Sequence, residues 1–337
     1  MFRIFHNPNY DFIRWWRVAA GLTIAFILLG LASFAVTGPI NYSIEFTGGT
    51  LMQLEFKQPP DVSGLRSTLD AAGIRGAEIQ QFGTNREFTV RAQDEASVRR
   101  QGAGAEGVAR QIETALSQRY GAGQFTVVRS EAVGPRVGDE LRRGAAIAML
   151  LGSLVTLVYL AIRFEWRFGL AAVLATAHDI LVTFAFIKLM NLEVSLTIVA
   201  AILTLLGYSM NDTIIIFDRV REDLRKSKGV PLRAVLNRAI NETLPRSVLT
   251  HATTLAATLA LLFFAGEVIR PFAWVMAFGV IIATFSSIYV AGPLLLLIER
   301  KWPREQAAAP RGGSTPRESR EGRTRAPAAA NAALSTR

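Results

Sequence analysis

The chain has 337 residues, half of them hydrophobic, a mean hydropathy of +0.29 and only 19% charged residues; soluble domains average nearer a quarter, so several long apolar segments are expected. Cysteine is absent, which excludes disulfides, thiolate catalysis and cysteine metal sites, and three histidines (His6, His178, His251) leave little for a histidine metal centre. The net charge of +10 gathers at both chain ends and between 218 and 246, beside apolar runs rather than on a folded basic face, which argues against a nucleic-acid partner.

Residues 1–17 are a short lead ending in "RWWR" (14–17), an aromatic and basic interface anchor. An apolar run follows at 18–37. No A-x-A-like site comes after it, and Thr37-Gly38-Pro39 reads as a helix stop, so this is a retained span rather than a cleaved signal peptide. Further runs fall at 144–162, 169–190, 195–217, 247–265 and 272–298, each close to the ~20 residues that cross a bilayer as a helix.

Between the first two runs, 38–143 reads as a folded domain. "GTLMQLEFK" (49–57) alternates as a strand does, and "DVSGLRSTLDAAGI" (61–74) has helical spacing with a glycine stop. "AEIQQFG" and "REFTVRA" flank a turn, a helix follows around 106–120, and "QFTVVRS" (124–130) is the last strand. The order β-α-β-β-α-β is ferredoxin-like. The fold class is therefore an α-helical membrane protein with six transmembrane helices and a ferredoxin-like α+β domain between spans 1 and 2.

Orientation comes from Lys and Arg in the short connections. Arg3, Arg14 and Arg17 precede span 1, Arg163 and Arg167 separate spans 2 and 3, and 218–246 holds eight more, including Arg219 and Arg246. The opposite connections, 191–194 and 266–271, carry none and one (Arg270). Both termini and a 218–246 loop are thus expected in the cytoplasm and 38–143 outside, with Arg142 and Arg143 a minority against. From 299 onward, Ala, Pro, Gly, Ser and Arg without periodicity read as a disordered basic tail beside membrane lipid.

No nucleotide site is present: there is no G-x-x-x-x-G-K-[ST], and "FTGGT" (46–50) lacks the lysine and following helix of a phosphate loop. Its glycine pair is better suited to turning the chain into the first strand. No enzymatic chemistry and no cofactor are expected. What stands out is the ionisable set within the spans, since a charge in the membrane costs several kcal/mol and marks an ion pathway or a buried pair. His178 and Asp179 lie near the middle of span 3. Asp212 lies about five residues, ~8 Å, inside one end of span 4, and Arg246 begins span 5 with His251 just over one turn deeper. Asp212 and Arg246 are at similar depth and are expected to pair. Gly207 and Ser209, before Asn211-Asp212-Thr213, form a poor helix-forming cluster expected to act as a hinge. A bendable carboxylate facing an arginine suits a proton acceptor, while a static Asp212–Arg246 pair, and Asp179 as a packing residue bonded to His178 and Thr183, are the plainer alternatives. Lys188 is expected to snorkel.

"GYSMNDTIIIFDRVRE", "INETLPRSVLTHATTLAATLAL" (240–261), "AHDI" and "EFTGGT" together resemble the SecD/SecF family of bacterial protein-export membrane proteins, within the resistance-nodulation-division superfamily. The resemblance covers about 10 to 302. It implies one six-span half of a pseudo-symmetric twelve-span unit in the inner membrane, with 38–143 in the periplasm. It further implies SecD as the other half, partnership with the SecYEG channel and YajC, and proton-motive-force-driven release of secreted polypeptide chains. The family's charged membrane residues map to Asp212 and Arg246, with Asp179 in the "HD" of span 3, and its outer motif to Glu45, Phe46, Gly48 and Gly49. Two positions depart: Gly-Ile-Asp-Phe is replaced by Ser43-Ile44-Glu45-Phe46, and the Asn expected after "DRVRE" is Asp223. A solute exporter half of the same superfamily and a passive translocon scaffold are the competing functions.

Overall fold

The computed structural model describes residues 8–81, 83–92, 105–227, 229–266 and 268–303. His6, Arg3 and the tail from 304 lie outside the described residues. The chain divides after Lys301, and every element below belongs to the first unit.

Among the described residues, six helices are long and apolar enough to cross a membrane. The first, α1 (Trp16–Thr37), follows a 3-10 turn whose cap, Asp11, accepts the Arg14 N–H; it stops at Gly38, where φ is 71°. A single turn, α2 (Ile44–Thr47), leads to the strands and helices of the small domain: β1 (Gly49–Phe56), α3 (Val62–Ala71), β2 (Glu78–Gln81), β3 (Glu87–Ala92), α4 (Ala105–Tyr120) and β4 (Phe125–Val133). The remaining spans are α5 (Pro135–Arg163), α6 (Trp166–Leu189), α7 (Leu196–Lys226), α8 (Leu232–Phe264), and α9 (Arg270–Ser286) continued through a π turn (Ser287–Ala291) into α10 (Gly292–Lys301).

The strands pair antiparallel in the order β2-β3-β1-β4, the ferredoxin-like arrangement expected from the element order. Alternation fixes which face is buried: Met52, Leu54 and Phe56 of β1 and Phe88 and Val90 of β3 point to one side. There they pack against Leu65 and Leu69 of α3 and Ile112 and Leu116 of α4. The register puts Leu54 opposite Phe88 on one side and Val127 on the other.

Most spans are longer than their apolar runs, because helix continues where the composition turns polar. α5 starts at Pro135, nine positions before the predicted 144, with proline at its first turn, where the missing N–H costs nothing. The larger correction concerns 218–246, expected as a loop. Among the described residues it is helix except at 227 and 229–231: α7 runs to Lys226 and α8 starts at Leu232. Two causes extend it. Arg219–Glu222 and Glu222–Lys226 pairs at i,i+3 and i,i+4 support the end of α7, and Val220, Val235, Leu236, Ala239 and Ile240 are buried in one cluster with Phe217.

Helices approach closely where side chains are small. A Cβ on Gly30 of α1 would lie 2.8 Å from the Ala185 Cα of α6, so only glycine permits this crossing. At the other end of the bundle the N-terminal segment is clipped to α8. The Tyr10 and Ile13 N–H groups donate to Asn241 and Asn237, and Asp11 accepts from Asn237 and Arg233.

Candidate functional site

Asp212 is 3% exposed, on the face of α7 turned toward α8 and the π turn. Both carboxylate oxygens are bound by hydroxyls from different elements: Ser247 of α8 donates to Oδ1, and Ser287 donates to Oδ2 at 2.6 Å. Burial makes these bonds necessary, since an unsatisfied carboxylate in an apolar interior is expensive.

The backbone explains how Ser287 gets there. Pro293, two residues past the π turn, has no N–H to give the carbonyl of Tyr289, so the regular i→i−4 ladder cannot close and the helix widens to a π turn. Ser287 Oγ also lies 3.0 Å from the carbonyl oxygen of Thr284. Its single proton therefore has two acceptors, the Asp212 carboxylate and a main-chain carbonyl.

A second buried carboxylate sits one turn away. Asp179 of α6, 6% exposed, accepts from Ser209 of α7 at one oxygen and lies 2.9 Å from His178 Nδ1 at the other. Ser209 and Asp212 are three residues apart, hence on one face of α7. Beside Asp179 and Ser209 a small pocket, lined also by Thr176, Thr183, Leu206 and Gly279, has room for about one water molecule. His251 of α8, one turn past Ser247, points Nδ1 at the Ser247 carbonyl oxygen at 2.7 Å. That geometry makes Nδ1 the donor and leaves Nε2 the bare acceptor. Its ring meets Tyr208 edge-on, with centroids 5.2 Å apart.

The expected Asp212–Arg246 pair does not form. Arg246 is on an exposed face of α8, and among the described residues no ion pair joins it to Asp212. Consecutive helical residues point about 100° apart, so Ser247, not Arg246, faces α7. Ser247 and Ser287 were missed because buried hydroxyls in apolar helices resemble ordinary packing. The available signals were a serine after Pro245-Arg246 and a Ser-Ser pair five positions before Gly292-Pro293. Asn211 and Gly207 are exposed, and α7 is regular helix through the 207–213 cluster expected to hinge. Lys188 does not snorkel; it is 4% exposed and donates to the carbonyls of Gly38 (2.8 Å) and Pro39 (3.1 Å).

The glycine motif forms the junction between sheet and bundle. Gly48 and Gly49 have φ of 72° and 122°, backbone that a side chain would strain, and a Cβ on Gly138 of α5 would approach Gly48 N to 3.1 Å. Phe46 is buried against Ala145, Val194, Ile198 and Val275. Glu45 reaches the start of α7, where its Oε2 accepts the Leu196 N–H at 2.6 Å.

A family model described as protein export membrane protein SecD/SecF, C-terminal, matches residues 112–301, over half of the chain. The chain belongs to the SecD/SecF family. A second model, for the SecD/SecF GG motif, matches 34–60 and so spans Gly48 and Gly49. The protein translocase subunit SecF of Gemmatimonas aurantiaca is 72% identical over 310 residues, covering 92% of this chain and 93% of its own. That of Vibrio alginolyticus is 39% identical over 298 residues, covering 88% and 92%. These SecD/SecF relatives are named as subunits of a transport machine. Among solved structures, the crystal structure of SecDF, a translocon-associated membrane protein from Thermus, superposes with a TM-score of 0.76 at 36% identity. The match covers 87% of this chain and 39% of that one, so this SecD/SecF chain spans about two fifths of the SecDF polypeptide.

Proposed function

We propose that the chain is the proton-responsive half of a Sec export motor. It pairs with a SecD-type half in the bacterial inner membrane, termini in the cytoplasm and sheet domain in the periplasm. Together with the SecYEG channel and YajC, the pair uses the proton motive force to complete translocation and release of secreted chains. The gradient is the energy source and no cofactor takes part. In scale it suffices: one charge crossing 100 mV is worth about 2.3 kcal/mol.

The observation that carries this reading is the double hydroxyl clamp on Asp212. An ionised Asp212 only accepts, so Ser247 and Ser287 both point their protons at it. A protonated Asp212 becomes a donor; its O–H turns toward Ser287 Oγ, and the Ser287 proton moves to the Thr284 carbonyl already 3.0 Å away. Protonation thereby exchanges the bond holding the π turn to α7, and the packing of α9 and α10 against α7 becomes the bistable element. Asp179, through Ser209, sits on the same face of α7 and extends the proton path toward His178; His251 flanks it on α8. Arg246 is at the wrong azimuth for this state and enters the cycle only in an arrangement in which α8 rotates.

Replacing Asp212 by Asn in membrane vesicles tests the reading. The complex should assemble normally and lose proton-dependent stimulation of export. Full stimulation would support a passive scaffold instead.

A further inference from the structure

We infer that Glu45 is a positioning residue that couples the sheet domain to the helix carrying Asp212; the inference rests on the proton-responsive reading above. Leu196 is the first residue of α7, and its N–H is one of the four that a helix N-terminus leaves unsatisfied. Ser195, the cap, takes the Ile198 N–H through its hydroxyl. Glu45 takes the Leu196 N–H from outside the helix, placing a carboxylate at the positive end of the α7 dipole. That carboxylate is itself held: Ser43 Oγ donates to the same Oε2 at 3.2 Å, and the Ser43 hydroxyl caps α2 by accepting the Glu45 N–H.

The contact is not a surface accident, because the segment around it is sewn to the connection between α6 and α7. The Ser43 N–H donates to the Val194 carbonyl at 2.9 Å, and the Val194 N–H to the Asn41 carbonyl at 2.8 Å, forming a parallel bridge at Tyr42. Ser43 and Ile44 are buried, and Phe46 is packed into the helices. Three residues after Phe46, β1 begins, and β1 pairs with both β3 and β4 at the middle of the sheet. From β3, Arg91 reaches down to Glu193 in the same connection. A shift of α7 along its axis therefore pulls on Glu45, and Glu45 is four residues from the central strand.

α7 is a suitable rod for this. Leu196 and Asp212 are separated by sixteen residues of unbroken helix, about 24 Å at 1.5 Å per residue. The same rod carries the Ser209–Asp179 bond between. A rearrangement at Asp212 that displaces α7 by even an ångström arrives at the Glu45–Leu196 bond as a change of that length, enough to break it. The glycines supply the swivel on the sheet side, since Gly48 and Gly49 lack the side chains that would fix the strand's angle to α2.

Hydrogen exchange on the full chain, reconstituted with its partner half, tests the proposal. Asp212→Asn, as a fixed neutral form, should change the protection of residues 41–56 relative to wild type. Glu45→Ala should abolish that response and raise exchange at the start of α7 by about 10- to 150-fold, the factor carried by losing a hydrogen bond to a charged group. The reciprocal variant Leu196→Pro removes the donor instead of the acceptor, at a helix position that tolerates proline and after a cap with extended backbone. It should abolish the response as well, and the double variant should go no further than either single one. A sheet-side response that survives both Glu45→Ala and Leu196→Pro overturns the proposal. So does Asp212→Asn that stops export while leaving 41–56 unchanged in the otherwise wild-type chain, a result that keeps the proton-responsive reading intact. Asp212→Asn with full export overturns that reading instead. Should Glu45→Ala fail to assemble, Leu196→Pro alone decides the matter in the same way.

Discussion

Replacing Ser287 by alanine removes one of two donors to Asp212 while leaving the other, Ser247, in place. A hydrogen bond to a charged group is worth about 1.5–3 kcal/mol, which corresponds to about a 10- to 150-fold change in the population of states in which that carboxylate oxygen is uncovered. An apolar carbodiimide dissolved in the membrane reacts with uncovered carboxyl groups, so its labelling rate at Asp212, read by mass spectrometry at fixed pH, should rise by about that factor. Two controls sit inside the molecule. Asp179 is bound by Ser209 and His178 rather than by Ser287, so its labelling should not change. Ser286 is buried and has no hydrogen-bond partner among the described residues, so Ser286→Ala should label as wild type does. Equal labelling of Asp212 in wild type and Ser287→Ala would refute the idea that Ser287 holds this carboxylate, and with it the switching role given to the π turn.

Ser247→Ala should reduce proton-dependent export more than Arg246→Met, because Ser247 and not Arg246 faces Asp212; the reverse order would mean that the working state rotates α8. Gly30→Ala should cost about 1–3 kcal/mol and lower the thermal unfolding midpoint in detergent, since its Cβ meets the Ala185 backbone. Gly21→Ala, with nothing within 4 Å, should be neutral or slightly stabilising. Burial pushes the Glu193 carboxyl up, against the pull of Arg91. A folded value above the unfolded one means that its contribution to stability is complete below about pH 4.3 and fades as pH rises through the raised value. Glu193→Gln lacks that slope, so its stability relative to wild type should grow as pH rises from there toward neutrality; the opposite trend would show that the Arg91 ion pair outweighs burial.

The spans and the small domain were readable because each depends on a local pattern. Alternation in 49–57 and 86–92 placed β1 and β3 to within a residue or two, and the order of elements sufficed for the sheet topology. Helix ends were less readable, because hydropathy reports where a bilayer would be rather than where helix stops. Arg219, Glu222 and Lys226 lie past the apolar run yet pair along the helix, and buried Val220 and Ile240 hold α7 and α8 on either side of their connection. Depth in the site was readable and azimuth was not. Rise per residue put Asp212 and Arg246 at one level, but which residue of α8 faces α7 depends on packing against helices distant in the sequence. The hydroxyl clamp escaped for the same reason. Ser247 and Ser287 come from different helices, and their convergence on Asp212 requires the widened turn before Pro293. At the other end, Glu45 read as part of a turning motif because its partner, the Leu196 N–H, is a main-chain group 151 positions away.

The central claim is that Asp212 takes up and gives back a proton while the helices around it repack. Its most direct test is export into vesicles carrying wild-type or Asp212→Asn chain, assayed with and without an imposed proton gradient. The account predicts equal export without the gradient and stimulation by it in wild type alone. Equal stimulation of both would contradict it.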